Sequence, residues 1–109
     1  MNITLINIKT NKQPHIFIGR GSVFGNPYKL GMDGDRHNVI RLYNRLFLQD
    51  WIEYGPKRIA LTAIICRSIK EHKNTLTFGC YCNPKPCHGD IIIERAQYLY
   101  NYIIENSRS

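Results

Sequence analysis

Apolar and polar positions alternate at the start of the chain, where Ile3 and Leu5 flank Thr4, and a short β-branched and aromatic run, His15-Ile16-Phe17-Ile18, ends at Gly19. A period of two sends successive side chains to opposite faces, so residues 2–8 and 15–20 are expected to be strands. From Val39 to Trp51 the period lengthens. Val39, Ile40, Tyr43, Leu46, Phe47 and Trp51 recur three to four apart behind Asp33-Gly34-Asp35, which predicts a helix capped by Asp35. Pro56 suits a first helical position, and Ile59, Leu61, Ile64, Ile65 and Ile69 carry a second helix that decays in the polar stretch Glu71 to Asn74. Cys66 on that helix is expected in the core. Residues 75–80 alternate again, with Leu76, Phe78 and Cys80 opposite Thr75, Thr77 and Gly79. Asp90 can cap a last helix, whose stripe runs through Ile92, Ile93, Ala96, Leu99, Tyr100 and Ile103.

The resulting order, β-β-α-α-β-α, predicts an α/β fold: a single small Rossmann-like domain over residues 1–109, with a three-stranded, mainly parallel sheet and about three helices. The polar tail 106–109 is expected to be disordered. If the second and third strands are parallel, their carboxyl ends lie on one edge of the sheet, and the loops that follow them, 19–27 and 79–90, share that edge. Open α/β sheets bind ligands there.

Composition sharpens this picture in three ways. Hydrophobic residues at 43% and charged residues at 21% are ordinary globular usage, so the chain can bury a core without disulfides. The beginning, MNITLINIKT, does not read as a signal peptide and no apolar run approaches the roughly 20 residues of a membrane span, which predicts a cytoplasmic protein without a membrane partner. The four cysteines are then expected to be thiols or metal ligands. Fifteen Lys and Arg against eight Asp and Glu give a net charge of +7, which favours a polyanion such as DNA through counterion release, although the charges are scattered along the chain.

Candidate chemistry concentrates in the two loops. In Gly19-Arg20-Gly21-Ser22-Val23-Phe24-Gly25-Asn26-Pro27, glycine permits close backbone approach, and Arg20 and Ser22 add anion donors. Arg20, Gly21, Ser22, Gly25 and Asn26, with Lys85 from the second loop, are the expected phosphate-binding set. A plain turn of Gly, Ser, Asn and Pro is the alternative, against which Arg20 stands. The second loop offers Cys80, Cys82, Cys87 and His88, the donor set of a Cys₃His zinc site, at a C-x-C-x₄-C-H spacing tighter than the usual pairs. In a competing reading Cys87 sits at the mouth of the last helix as a thiolate, and His88 and Asp90 supply a general base with its orienting carboxylate, or bind a divalent metal, Mg or Zn. Pro84 and Pro86 stiffen the loop about Lys85.

The pair GRGSVFGNP and CYCNPKPCHGD resembles a small phage-associated domain family of unknown function, whose members pair GRGS-x-x-GNP with a late C-x-C-x-P-x-P-C-H-G-D. The match spans roughly residues 15–95 and falls on Arg20, Ser22, Asn26, Cys82, Cys87, His88 and Asp90. The resemblance implies a phage-encoded protein in the host cytoplasm, and one member is similar to a DNA-nicking protein that acts with host uracil excision. The leading expectation is therefore an endonuclease that nicks DNA, at uracil-derived abasic sites, through acid–base or metal chemistry at His88, Asp90 and Cys87. A Schiff base at Lys29 or Lys85 is a metal-free variant. The alternatives are a glycosidase or transferase acting on a nucleoside phosphate, and a non-catalytic adaptor or inhibitor of a host DNA-repair enzyme.

Overall fold

The computed structural model describes residues 1–82 and 85–107. Three strands, β1 (Asn2–Asn7), β2 (Ile16–Phe17) and β3 (Thr75–Cys80), and three helices, α1 (Arg36–Ile52), α2 (Pro56–Lys70) and α3 (His88–Asn106), follow in the order β1-β2-α1-α2-β3-α3. The fold is α/β as the periodicity predicts. In the sheet the order is β1-β3-β2, with β3 inserted between the two earlier strands and parallel to both. Asn2 to Asn7 of β1 register against Thr75 to Cys80, and Ile16 and Phe17 against Phe78 and Gly79. The central position of β3 explains its burial, with Leu76, Phe78 and Cys80 all in the core.

The second strand is shorter than its apolar run suggests. Pro14 cannot donate to a ladder and Gly19 opens a turn, so pairing is confined to Ile16 and Phe17, extended by one bond from the Ile18 amide to the Gly79 carbonyl at 3.0 Å.

Each helix has a local cause. Asp35 caps α1 by accepting from the Asn38 amide at 2.9 Å, and Val39, Tyr43 and Phe47, one turn apart, face the core. Gly55 has no side chain to cap α2, so Asp50 of α1 reaches across and accepts from the Lys57 and Arg58 amides at 3.1 and 2.9 Å. The buried face of α2 is Leu61, Ile65 and Ser68; Cys66 is exposed, and Ile59 is 62% exposed, contrary to the expectation from the isoleucine stripe. The reason is placement. Helix α2 packs chiefly on α1 and α3, so only a narrow strip of it is covered.

Helix α3 packs directly on β1 and β3 and buries Ile92, Ala96 and Leu99. Its cap is Cys87, not Asp90. The Cys87 thiol accepts from the Gly89 amide at 3.3 Å, and Asp90, three residues into the motif, reaches back to the Cys87 amide at 3.1 Å, a reciprocal capping box with sulfur in place of a hydroxyl. At the far end α3 continues through Asn106, whose side chain bonds the Tyr102 carbonyl at 2.8 Å, so the expected disorder does not begin there. Residues 108 and 109 lie outside the described part, as does Pro84, to which loop stiffness was assigned. Among the described residues no helix is long and apolar enough to cross a membrane.

Candidate functional site

Because β2 and β3 are parallel, the loops after them leave the same edge of the sheet, and they meet in one cleft of about 590 Å³. Gly19, Arg20 and Asn26 of the first loop and Cys80, Cys82, Pro86, Cys87 and His88 of the second line it. The first turn of α1 adds Arg36, Val39 and Ile40, and Phe17, Tyr28, Leu30 and Tyr81 complete an apolar and aromatic wall. An open shelf of about 270 Å³ continues over Arg20, Gly21, Ser22, Gly25, Asn26, Pro27 and Lys29.

The first loop is a self-braced structure. The Ser22 amide and hydroxyl both donate to the Gly19 carbonyl, at 3.1 and 2.7 Å, and the Gly25 amide donates to the Ser22 carbonyl at 3.1 Å. Gly21 stands at φ +92°, in the left-handed region, and a Cβ on Gly25 would meet the Gly19 carbonyl oxygen at 2.9 Å, which is backbone that cannot move aside. Phe24, 2% exposed, plugs the loop into the core, and the Tyr43 hydroxyl holds its carbonyl at 2.7 Å. Asn26 spends both ends of its amide, donating to the Val39 carbonyl at 3.2 Å and accepting from the Tyr28 amide at 3.0 Å. Ser22 and Asn26 thus shape the loop. Arg20 differs: it is exposed at the junction of cleft and shelf and has no hydrogen-bond or ion-pair partner among the described residues.

Across the cleft, Arg36 donates from Nη1 to the Pro86 carbonyl at 3.1 Å, tying α1 to the second loop and holding a second guanidinium at the site. Sequence reasoning passed over Arg36. Its position carried the one hint, since Arg36 is the first residue of the helix that follows the first site loop, directly after the Asp35 cap. Lys85 is exposed and does not line the cleft; its amide donates to the Cys82 carbonyl at 2.8 Å.

His88 is buried at the first position of α3, with Nε2 2.7 Å from the Ile18 carbonyl at the end of β2 and its ring edge-on to Tyr43 at 5.0 Å. A carbonyl accepts only, so Nε2 carries the proton and Nδ1 the lone pair. Burial lowers the His88 pKa from its ordinary value, more than the Ile18 carbonyl and the Asp90 charge restore it, and the ring is neutral near pH 7. Among the described residues no fully buried side-chain nitrogen or oxygen is left without a partner, so Nδ1, which has no hydrogen-bond partner there, retains access to solvent on a residue that lines the cleft. Asp90 is exposed and its carboxylate is turned to the Cys87 amide.

The cysteines form a buried pair. Cys80 and Cys87 lie with their sulfurs 3.7 Å apart, and Cys82 is half-buried beside them on the cleft wall. Burial pushes the Cys87 thiol up to about 12, and neighbouring Cys80 and Cys82 add to the rise while the Gly89 amide opposes it. The expected thiolate at the helix mouth is therefore a neutral thiol: desolvation outweighs the helix end. Among the described residues no three His, Cys, Asp or Glu side chains converge as a metal set, and His88 Nε2 is already turned to Ile18.

Residues 6–98 match the family described as a domain of unknown function, DUF4326. The chain belongs to that family. Its DUF4326 region spans β2, both site loops and most of α3, so the cleft lies wholly within it. A curated relative of the DUF4326 chain is the "Uncharacterized 12.4 kDa protein in nrdA-td intergenic region" of Enterobacteria phage T4, 34% identical over 84 residues that cover 76% of this chain and 68% of the relative. No solved structure significantly matches the chain.

Proposed function

We propose that the protein is an enzyme acting on one nucleotide unit, held in the cleft with its phosphate at Arg20 and Arg36 and its base or sugar against Phe17, Tyr28 and Tyr81. The observation that carries this is a single apolar cleft whose wall brings together His88, a ring held neutral by burial, the arginines Arg20 and Arg36, and the rings of Phe17, Tyr28 and Tyr81. A volume of about 590 Å³ suits a ligand of nucleotide size. The parallel-sheet edge and the amino ends of α1 and α3 add positive potential where a phosphate would sit. In this reading His88 removes or relays a proton at the reacting centre, with the Ile18 carbonyl orienting its ring. Ser22, Asn26, Cys87 and Asp90 hold the two loops in place.

The nucleotide has two possible sources: a free nucleoside phosphate, or a unit extruded from DNA, as at a uracil or abasic position. The open shelf with Arg20 and Lys29 favours the second, because it leaves room for flanking backbone, and DNA nicking is the activity that would follow. Titration calorimetry with nucleoside monophosphates, beside cleavage assays on plain, uracil-containing and abasic duplexes with and without EDTA, separates the sources. Borohydride trapping in the same assays reports a Schiff base at Lys29. Replacing both Arg20 and Arg36 by alanine should weaken binding roughly 10- to 100-fold per guanidinium, the worth of a charge-assisted hydrogen bond. A double variant that binds both ligand types as tightly as the natural protein refutes the reading.

A further inference from the structure

A second surface, remote from the cleft, has a chemistry of its own. At the far end of α1, fifteen residues and roughly 22 Å from Arg36 along the helix axis, Trp51 is flanked by two guanidinium groups. Arg58 of α2 lies 4.9 Å from the Trp51 ring centre and 3.7 Å from that of Tyr54. Arg95 of α3 lies 4.9 Å from the Trp51 ring and 5.8 Å from that of Tyr98, which stacks on Tyr102 at 6.4 Å with 19° between planes. Tyr54, Arg58, Trp51, Arg95, Tyr98 and Tyr102 thus form one unbroken ladder of rings and cations across all three helices.

We propose that this ladder is a docking surface for single-stranded nucleic acid. Three of its rings are open to solvent, Tyr54 at 67%, Tyr98 at 57% and Tyr102 at 55%, too exposed to be explained as core packing. The two arginines are half-buried between rings, and neither has a carboxylate in ion-pair contact; among the described residues the ion pair is Lys73 with Glu71 at 3.5 Å. Glu94 shares a small hollow with Arg95 and Tyr98 without pairing to either. Asp50, the acidic group next to Trp51, is spent on the α2 amides.

Positive charge that the protein does not neutralise, in a chain of net charge +7, is complementary to phosphate. Flat rings at stacking separation accept any base by its face, and planar guanidinium groups serve both base and phosphate. An acidic protein would also meet the charge, but it would not use the exposed, near-parallel rings of Tyr98 and Tyr102. The ladder stands independently of what the cleft binds; if both act, it holds a strand while the cleft takes one unit.

Fluorescence anisotropy of a labelled oligothymidylate, titrated with the full chain across a range of salt, tests the proposal. The natural protein should bind, and its affinity should fall steeply as salt rises. Alanine at Tyr98 or at Tyr102 should weaken binding roughly 5- to 100-fold each, the loss expected for one stacked base. Both side chains are solvent-exposed, so circular dichroism should show an unchanged fold and nucleoside monophosphate binding in the cleft should persist. Lysine at Arg95 keeps the charge and removes the plane, and should give an intermediate loss. The proposal is overturned if the natural protein binds no oligonucleotide, if the Tyr98→Ala, Tyr102→Ala double variant binds as tightly as the natural protein, or if Arg20→Ala and Arg36→Ala alone abolish binding.

Discussion

Lowering the pH through the ordinary histidine range should weaken this fold, and one ring should account for most of the loss. His88 is 9% exposed, its Nε2 is tied to the Ile18 carbonyl at 2.7 Å, and burial holds its pKa below the ordinary 6.5. Below about pH 6.5 the unfolded chain binds a proton at this position that the folded chain does not, so stability rises with pH and is lost as pH falls. The slope for one such group approaches about 1.4 kcal/mol per pH unit until the folded ring itself protonates. With a urea dependence of roughly 1–3 kcal/mol per molar, the unfolding midpoint should drop by about 0.5–1.4 M for each unit below pH 6.5. The assay is urea unfolding followed by Trp51 fluorescence at several pH values between about 7.5 and 5.5, compared with His88→Gln, which keeps a donor near the position of Nε2 and cannot titrate. The other three histidines are exposed and present in both proteins, so the difference between the two pH profiles isolates His88. Equal pH dependence in the two proteins would refute the neutral, buried ring, and with it the base assigned to the cleft.

Two further outcomes follow from the same neighbourhood. Tyr43→Phe removes the hydroxyl that holds the Phe24 carbonyl at 2.7 Å and leaves a buried acceptor unpaired; it should cost about 1–3 kcal/mol in urea unfolding, and a loss within error of zero would mean that the first loop is not anchored there. Alkylation with iodoacetamide near pH 8, read residue by residue by mass spectrometry, should label exposed Cys66 first and Cys80 and Cys87 far more slowly, because both are buried and the Cys87 thiol is pushed up to about 12. Rapid labelling of Cys87 would restore the thiolate.

What could be read from the sequence depended on whether it was written locally. The period of two around Leu76 and Phe78 and the three-to-four spacing of Val39, Tyr43 and Phe47 gave the correct elements, because those faces pack on the core along their whole length. Ile59 and Cys66 misled, because α2 is covered chiefly by two helices, a fact of tertiary placement that no local pattern holds. The insertion of β3 between β1 and β2 is equally invisible to periodicity. The shared cleft was legible, since it needs only parallel β2 and β3 and two chemically rich loops. Roles within it were not: Ser22 and Asn26 look like ligand donors by type, yet their atoms close the loop and bind α1, while Arg36 contributes from a helix that had no motif to mark it.

The sharpest case is Asp90, because its two readings differ in one atom's partner. As the carboxylate of a catalytic pair it would need to bond His88, but its Oδ2 accepts the Cys87 amide at 3.1 Å, and the His88 ring is oriented instead by the Ile18 carbonyl through Nε2. A capping acceptor needs a lone pair and not a charge. Asp90→Asn keeps an acceptor oxygen and should therefore retain most of the stability that Asp90→Ala loses, about 0.5–2 kcal/mol for a helix cap. The charge does reach His88 weakly, raising its pKa, so Asp90→Asn should also shift the His88 titration, followed by NMR, slightly downward. Ligand binding in the cleft should be unaffected, since Asp90 does not line it. If Asp90→Asn were as stable as the natural protein but lost nucleotide or DNA turnover by several orders of magnitude, the carboxylate would belong to the chemistry, and the assignment of acid–base work to His88 alone would fall.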